Sequence, residues 1–241
     1  MSLDELQALC ESGQRELMAT NYLAAEKTLA QAEQIAFEQR EFETLSRLYM
    51  PLQEARRQRR QRCGEGTVHL GLIASSPADK ISAEQIIEQY PFGQLLIAGW
   101  GSIEPALQFR RLQAERNLYV DTFLAAVFPT TQGLIIAIVA EDSPLPAPNT
   151  KPLDQLRLIL PPHTLFFRPD QLPSSAQKGT YETYSHVMQI WESLHMPFLQ
   201  MADALKDPIE KIQAYRRTIR IDYACELAHQ KLAAVAARLA G

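Results

Sequence analysis

The stretch that most constrains how this chain can fold runs from Asp207 to Ala236, near its C-terminus. Asp207 followed by Pro208 reads as a helix start. The carboxylate can accept from a first-turn amide, and proline's missing N–H costs nothing at the first helical position. Ile209, Ile212, Tyr215 and Ile219 then fall on one face. Beyond Asp222 a second pattern begins, with Ala228, Leu232, Val235, Ala236 and Leu239 at helical spacing. Two amphipathic helices joined by a tight turn make an αα-hairpin, which cannot cover both of its own apolar faces. It needs neighbours.

The other end of the chain supplies candidates. Residues 2–62 read as wholly helical. Ser2 with Glu5 three positions on is a capping box, in which side chain and backbone satisfy each other's orphan groups. Leu6, Leu9, Gly13 and Leu17 follow; Asn21 is expected to cap a second helix carrying Tyr22, Ala25, Leu29, Ala32 and Ile35. A third helix from near Glu41 puts Phe42, Leu45, Leu48, Tyr49, Leu52 and Ala55 on one face, and Pro51 predicts a kink or break in it. That helix ends in the basic run Arg56–Arg62. The run reads as a solvated helix end, its arginines favoured by the negative end of the dipole before Gly64 stops the helix. The alternative is a patch for nucleic acid or an acidic partner. A formal net charge of −4 and the lack of interleaved aromatics weigh against nucleic acid.

Around Gly64 the pattern changes. Val68–Ala74 reads as a buried strand, Ser82 opens a helix through Ile86 and Ile87 that Pro91 closes, and Leu95–Ala98 is a second strand. Ile103–Arg116 is helical. Tyr119–Phe128 and Leu134–Val139 read as a strand pair joined through Pro129–Gly133. The proline-rich stretch Ser143–Pro152 is an exposed loop, and Leu156–Leu160 and Thr164–Phe167 are expected as short strands beyond it. Turn residues from Pro169 to Gly179 lead back to helix. There Tyr181, Tyr184, Val187, Met188, Trp191, Leu194, Phe198, Met201 and Leu205 form an apolar stripe, read as core. The fold class is α/β with a small mixed central sheet and helical hairpins at both ends. The expected domains are residues 1–63, 66–170 and 180–241.

Both ends resemble the tetratricopeptide repeat, a helix–turn–helix unit of about 34 residues. At the C-terminal end Tyr215 fills its bulky position, Thr218 a small one, and Ile219 and Ile221 aliphatic ones before Asp222; His229 takes the aromatic slot, and Leu232-Ala233 stand for its Leu-Gly pair. Tyr223 departs where proline is usual, and Lys211 where a small residue packs. At the N-terminal end Gly13, Tyr22, Ala25, Leu29 and Ala32 match in register, while Glu16 departs from an aromatic position. The resemblance implies a groove lined by the first helix of each repeat. Carried over by position, that places partner-binding residues at Gln7, Glu11 and Gln14, and at Gln230 and Arg238. With at most one and a half repeats at each end, neither segment should stand alone. The terminal helices are expected to pack together or onto the sheet.

Chemistry-bearing motifs are sparse. Gly99-Trp100-Gly101 with Ser102 lies between a strand and a helix, where a phosphate-binding loop would be, but Glu104 holds the place of a third glycine and would repel phosphate. No two of the five histidines share ligand spacing with each other or with a cysteine on one helical face, so no metal site is assigned. The Val68–Phe167 segment has no cysteine, which removes a Cys–His dyad there, and no nucleophile–base pair can be nominated. Three widely separated cysteines fit a reducing cytoplasm, and no apolar run nears the roughly 20 residues of a membrane helix. The expectation is a non-catalytic, cofactor-free protein–protein adaptor binding a partner peptide or helix. Two alternatives stand beside it: a ligand- or nucleotide-sensing α/β domain with helical dimerisation arms, and a structural subunit of a homo-oligomer.

Overall fold

The computed structural model describes residues 2–241. Three helices come first: α1 (Leu3–Met18), α2 (Tyr22–Gln39) and α3 (Phe42–Glu65). A mixed segment follows, comprising β1 (Thr67–Ile73), α4 (Ala83–Gln89), β2 (Gly93–Trp100), α5 (Glu104–Arg116), β3 (Val120–Thr130), β4 (Gly133–Val139), α6 (Leu153–Ile159), β5 (Leu165–Phe167) and β6 (Gln177–Lys178). Three further helices close the chain: α7 (Tyr181–Ala204), α8 (Pro208–Ile221) and α9 (Glu226–Ala240). The fold is α/β with a mixed sheet and terminal helices.

The chain divides into two compact units that do not follow three consecutive segments. One contains Met1–Gln61 together with His195–Gly241, and the other is Arg62–Leu194. In the first unit both ends of the chain contribute to one core. Leu6, Leu29, Leu48, Tyr49, Ile212, Leu232 and Val235, from both ends of the chain, belong to one buried cluster. The apolar stripes at the two termini therefore cover each other. Gly13 lets α1 approach α2 closely, because a Cβ there would sit 2.6–2.7 Å from the Leu29 side chain.

The second unit is built on a six-stranded sheet of order β5-β4-β3-β2-β1-β6. β1, β2 and β3 run parallel, with Gly93 opposite both Thr67 and Val120. β4 pairs antiparallel with β3 and β5, and β6 antiparallel with β1. One face is covered by α4, α5 and α6 through Ile87, Phe109 and Leu156. On the other, Trp191 of α7 lies with its ring centre 4.4 Å from that of Phe123 in β3. Because the parallel strands step in one direction, with both crossover helices on the same face, no reversal of strand order opens the crevice where such sheets hold nucleotides.

Several elements differ from expectation. Leu156–Leu160 is not a strand. Leu153, Leu156 and Leu160 recur at helical intervals, and α6 buries Leu156 while leaving Leu158 85% exposed. The two-residue β6 is too short and polar to leave a periodic trace. Pro51 does not end α3, which runs on to Glu65. Leu48, Tyr49, Leu52 and Ala55 are buried around it, and that burial outweighs a proline cost of about 3 kcal/mol. Asn21 stands at the N-cap of α2 without capping it; its side-chain amide donates to Glu16 instead. The capping box at Ser2 and Glu5 is formed, and Asp207 accepts from the Glu210 amide at 2.8 Å.

Candidate functional site

A small set of polar and charged residues of the helical unit, Glu33, Gln53, Arg60, Thr218, Asp222 and His229, is buried in its interior. The Arg56–Arg62 run is only in part the solvated helix end expected of it. Arg60 has a side chain only 2% exposed, and Arg56 and Arg59 are at 12% and 15%. Arg57 and Arg62 remain exposed, each ion-paired to a nearby glutamate on α3. At helical spacing 56, 59 and 60 share one face, and that face points inward. The run therefore lacks the row of exposed cations that a phosphate backbone requires.

The buried arginines tie elements from both ends of the chain. Glu26 of α2 takes Arg56 at 3.2 Å and Arg59 at 2.9 Å. Burial alone would raise the Glu26 carboxyl, but the two guanidiniums overcome it and hold it below the usual range. Glu33 accepts from the Tyr49 hydroxyl at 2.7 Å and from Arg216 of α8 through both oxygens. The tyrosine hydroxyl is thereby raised well above its ordinary value, by burial first and by the glutamate second.

Asp222, in the turn between α8 and α9, is the most connected group. Its carboxylate is 2% exposed and accepts from Arg60 at 2.9 Å, from His195 Nδ1 at 2.7 Å and from the Ala224 amide at 3.2 Å. Burial opposes its charge, yet Arg60 and His195 keep the carboxyl below its usual range. Burial also opposes a charged His195. The hydrogen bond to Asp222 and the polar neighbourhood it belongs to win, and the ring is pushed up to about 10. Three residues after Asp222, Cys225 is the N-cap residue of α9 and is 4% exposed. Tyr223 lies under Arg59 and Arg60, their guanidinium carbons 4.1 and 4.4 Å from its ring centre.

His229 has the opposite character. Its Nδ1 faces the Cys225 carbonyl at 2.8 Å and Nε2 faces Arg56 at 3.1 Å. An arginine can only donate, so Nε2 must accept and Nδ1 must carry the proton. Burial, then the neighbouring Arg56 charge, pushes His229 down to about 3. It is a neutral ring in a charged interior.

The expected partner-binding residues are exposed but fall into two sets. Gln7, Glu11 and Gln14 lie on α1, where Gln7 donates to Glu11 at 3.0 Å. Gln7 and Gln14 border a cavity of about 80 Å³ with Cys10, Leu29, Thr44, Arg47 and Leu48. Gln230 and Arg238 lie exposed on α9, which packs on α8, and neither lines that cavity. A larger cleft, of about 510 Å³, is formed by the end of α7 and by α8. Phe198, Met201, Leu205 and Ala214 line it with Glu210, Gln213, Arg217 and Arg220.

The expected ligand loop spends its amides on the protein itself. Gly99 donates to the Ser102 carbonyl, Gly101 to Val127, Ser102 back to Gly99, and Glu104 to the Ser102 hydroxyl. Gly101 has φ +60°, and a Cβ on it would come within 2.6–2.8 Å of the Pro148 ring. The glycine serves a left-handed turn tucked under the proline-rich loop, with none of these amides left for a phosphate. Among the described residues no cluster of histidine, cysteine, aspartate and glutamate could hold a metal ion, and no helix is long and apolar enough to cross a membrane.

No protein-family model, curated protein or solved structure matches this chain.

Sequence reasoning missed the pairing of His195 with Asp222, 27 residues apart, because the histidine comes from α7 and the aspartate from the turn after α8. Nothing within a single helical period signals such a pair.

Proposed function

We propose that the helical unit is a non-catalytic interaction module that receives an amphipathic partner segment in the cleft between α7 and α8. The cleft carries this reading. Its volume of about 510 Å³ falls within the roughly 300–1,000 Å³ of sites that enclose a ligand, whereas the α1 cavity, at about 80 Å³, falls below it. Its floor is apolar, and Met201 stands 54% exposed with no partner from its own unit closing over it. Arg217, stacked 4.9 Å from the Phe198 ring centre, and Arg220 outnumber the single Glu210 at the walls. In a chain of net charge −4 that local excess of cations favours a segment with an apolar anchor and acidic flanks. The close α1–α2 approach at Gly13 supports reading the hairpins as tetratricopeptide-like. The recognition surface then lies on the cleft, and Gln7, Glu11, Gln14, Gln230 and Arg238 are peripheral to it.

Fluorescence anisotropy with two labelled helical peptides, leucine–glutamate and leucine–lysine in composition, tests this. The acidic peptide should bind, and Met201→Glu and Arg220→Glu should each weaken it at least tenfold while Gln14→Ala and Gln230→Ala leave it unchanged. Equal binding of both peptides, or indifference to the cleft variants, refutes the assignment.

A further inference from the structure

The cleft between α7 and α8 asks for an apolar anchor with acidic flanks, and the chain itself carries one. α1 turns Leu6, Cys10 and Gly13 inward, but Leu3, one turn earlier, stands 59% exposed and outside the helical core. Asp4 and Glu5 beside it are exposed as well, and the first cationic side chain along α1 is Arg15. Every other exposed large apolar side chain outside the cleft, among the described residues, has a lysine or arginine within four positions, except Phe92. Phe92 lies in a bend before β2 rather than on a helix.

Within one copy the two surfaces do not meet, since Leu3, Asp4 and Glu5 are not part of the cleft lining. Their charges are left over on both sides. Among the described residues Asp4 has no ion pair on α1, and Arg220 has none at the cleft wall. Leu3 and Met201, each more than half exposed, are apolar surface left in water for the same reason.

Resting on the reading of the cleft given above, we propose that its occupant is the first turn of α1 from a second copy of this chain. Leu3 seats on the floor made by Phe198, Met201 and Leu205, and Asp4 and Glu5 face Arg217 and Arg220. Donor and acceptor are different patches of one molecule, so the contact is heterologous and every copy can make it twice. One leucine anchor and two charges form a small interface, which places the association in the weak, concentration-dependent class.

Sedimentation velocity on the full chain, up to its highest soluble concentration, tests this. Wild type should self-associate. Leu3→Glu, Asp4→Lys and Met201→Glu should each weaken association at least tenfold, while Met18→Glu, at the other end of α1, should leave it unchanged. Leu3→Glu retains a working cleft and Met201→Glu a working α1. Mixing those two variants should therefore restore a 1:1 complex that grows no further, which misfolded variants could not do. A monomeric wild type, association indifferent to Leu3→Glu, or a mixture that stays monomeric overturns the proposal. If the leucine–glutamate peptide still binds in any of these cases, the cleft reading stands and only the self-partner falls; if the peptide fails as well, both fall.

Discussion

Protonation of His229 gives a perturbation whose size follows from the geometry. The ring is fully buried, gives its one proton to the Cys225 carbonyl and accepts at Nε2 from Arg56. A second proton would set N–H against N–H and charge against charge, which is why the folded ring is pushed down to about 3 from an ordinary 6.5. The unfolded chain takes up that proton below pH 6.5 while the folded protein does not. Stability is therefore lost as the pH falls from 6.5 toward about 3, at up to about 1.4 kcal/mol per pH unit. Between pH 7 and pH 5 this amounts to about 2 kcal/mol. His195 works the other way, since its raised folded value gives a contribution complete below 6.5 and lost as the pH climbs toward about 10. A wild-type curve alone mixes the two. His229→Gln separates them, because glutamine offers an N–H to Cys225 and an oxygen to Arg56 but does not titrate. Urea unfolding of both proteins, followed by far-ultraviolet circular dichroism at pH 7 and pH 5, should show wild type losing about 2 kcal/mol more than the variant. Equal losses in the two proteins would refute a neutral His229.

Arg60→Met should destabilise the helical unit by about 3–5 kcal/mol, since it strips a buried carboxylate of its strongest partner, and Asp222→Leu should cost a similar amount. The double variant should cost clearly less than the sum, as read from urea midpoints; strict additivity would mean that the pair is not coupled. Gly13→Ala should destabilise by about 1–3 kcal/mol through its clash with Leu29, despite a helix preference of about 1 kcal/mol in favour of alanine. Combining it with Leu29→Ala should remove the added penalty, and thermal unfolding distinguishes the cases.

What was legible in the sequence was whatever is written within one turn or one period. Asp207 with Pro208 marked the start of α8, Ser2 with Glu5 that of α1, and the apolar stripes marked the faces that meet in the helical core. The sheet strands showed as aliphatic runs for the same reason. Groups whose meaning depends on a distant partner were hidden. Arg60 looks like any exposed cation until Asp222, 162 residues away, is beside it. His229 suited an aromatic slot by size, and nothing local announced that a guanidinium would keep it neutral. The strand expected at Leu156–Leu160 is part of helix α6 because a short aliphatic run suits strand or helix equally, and only its neighbours decide.

The joint ownership of the helical core by both ends of the chain bears on how the protein is made. Residues 2–61 emerge from the ribosome first but lack Ile212, Leu232 and Val235, which cover their apolar sides. At roughly 5–20 residues per second, the intervening ~130 residues delay that cover by roughly 7–26 seconds. During this interval the apolar sides of α1 to α3 are a half-finished surface.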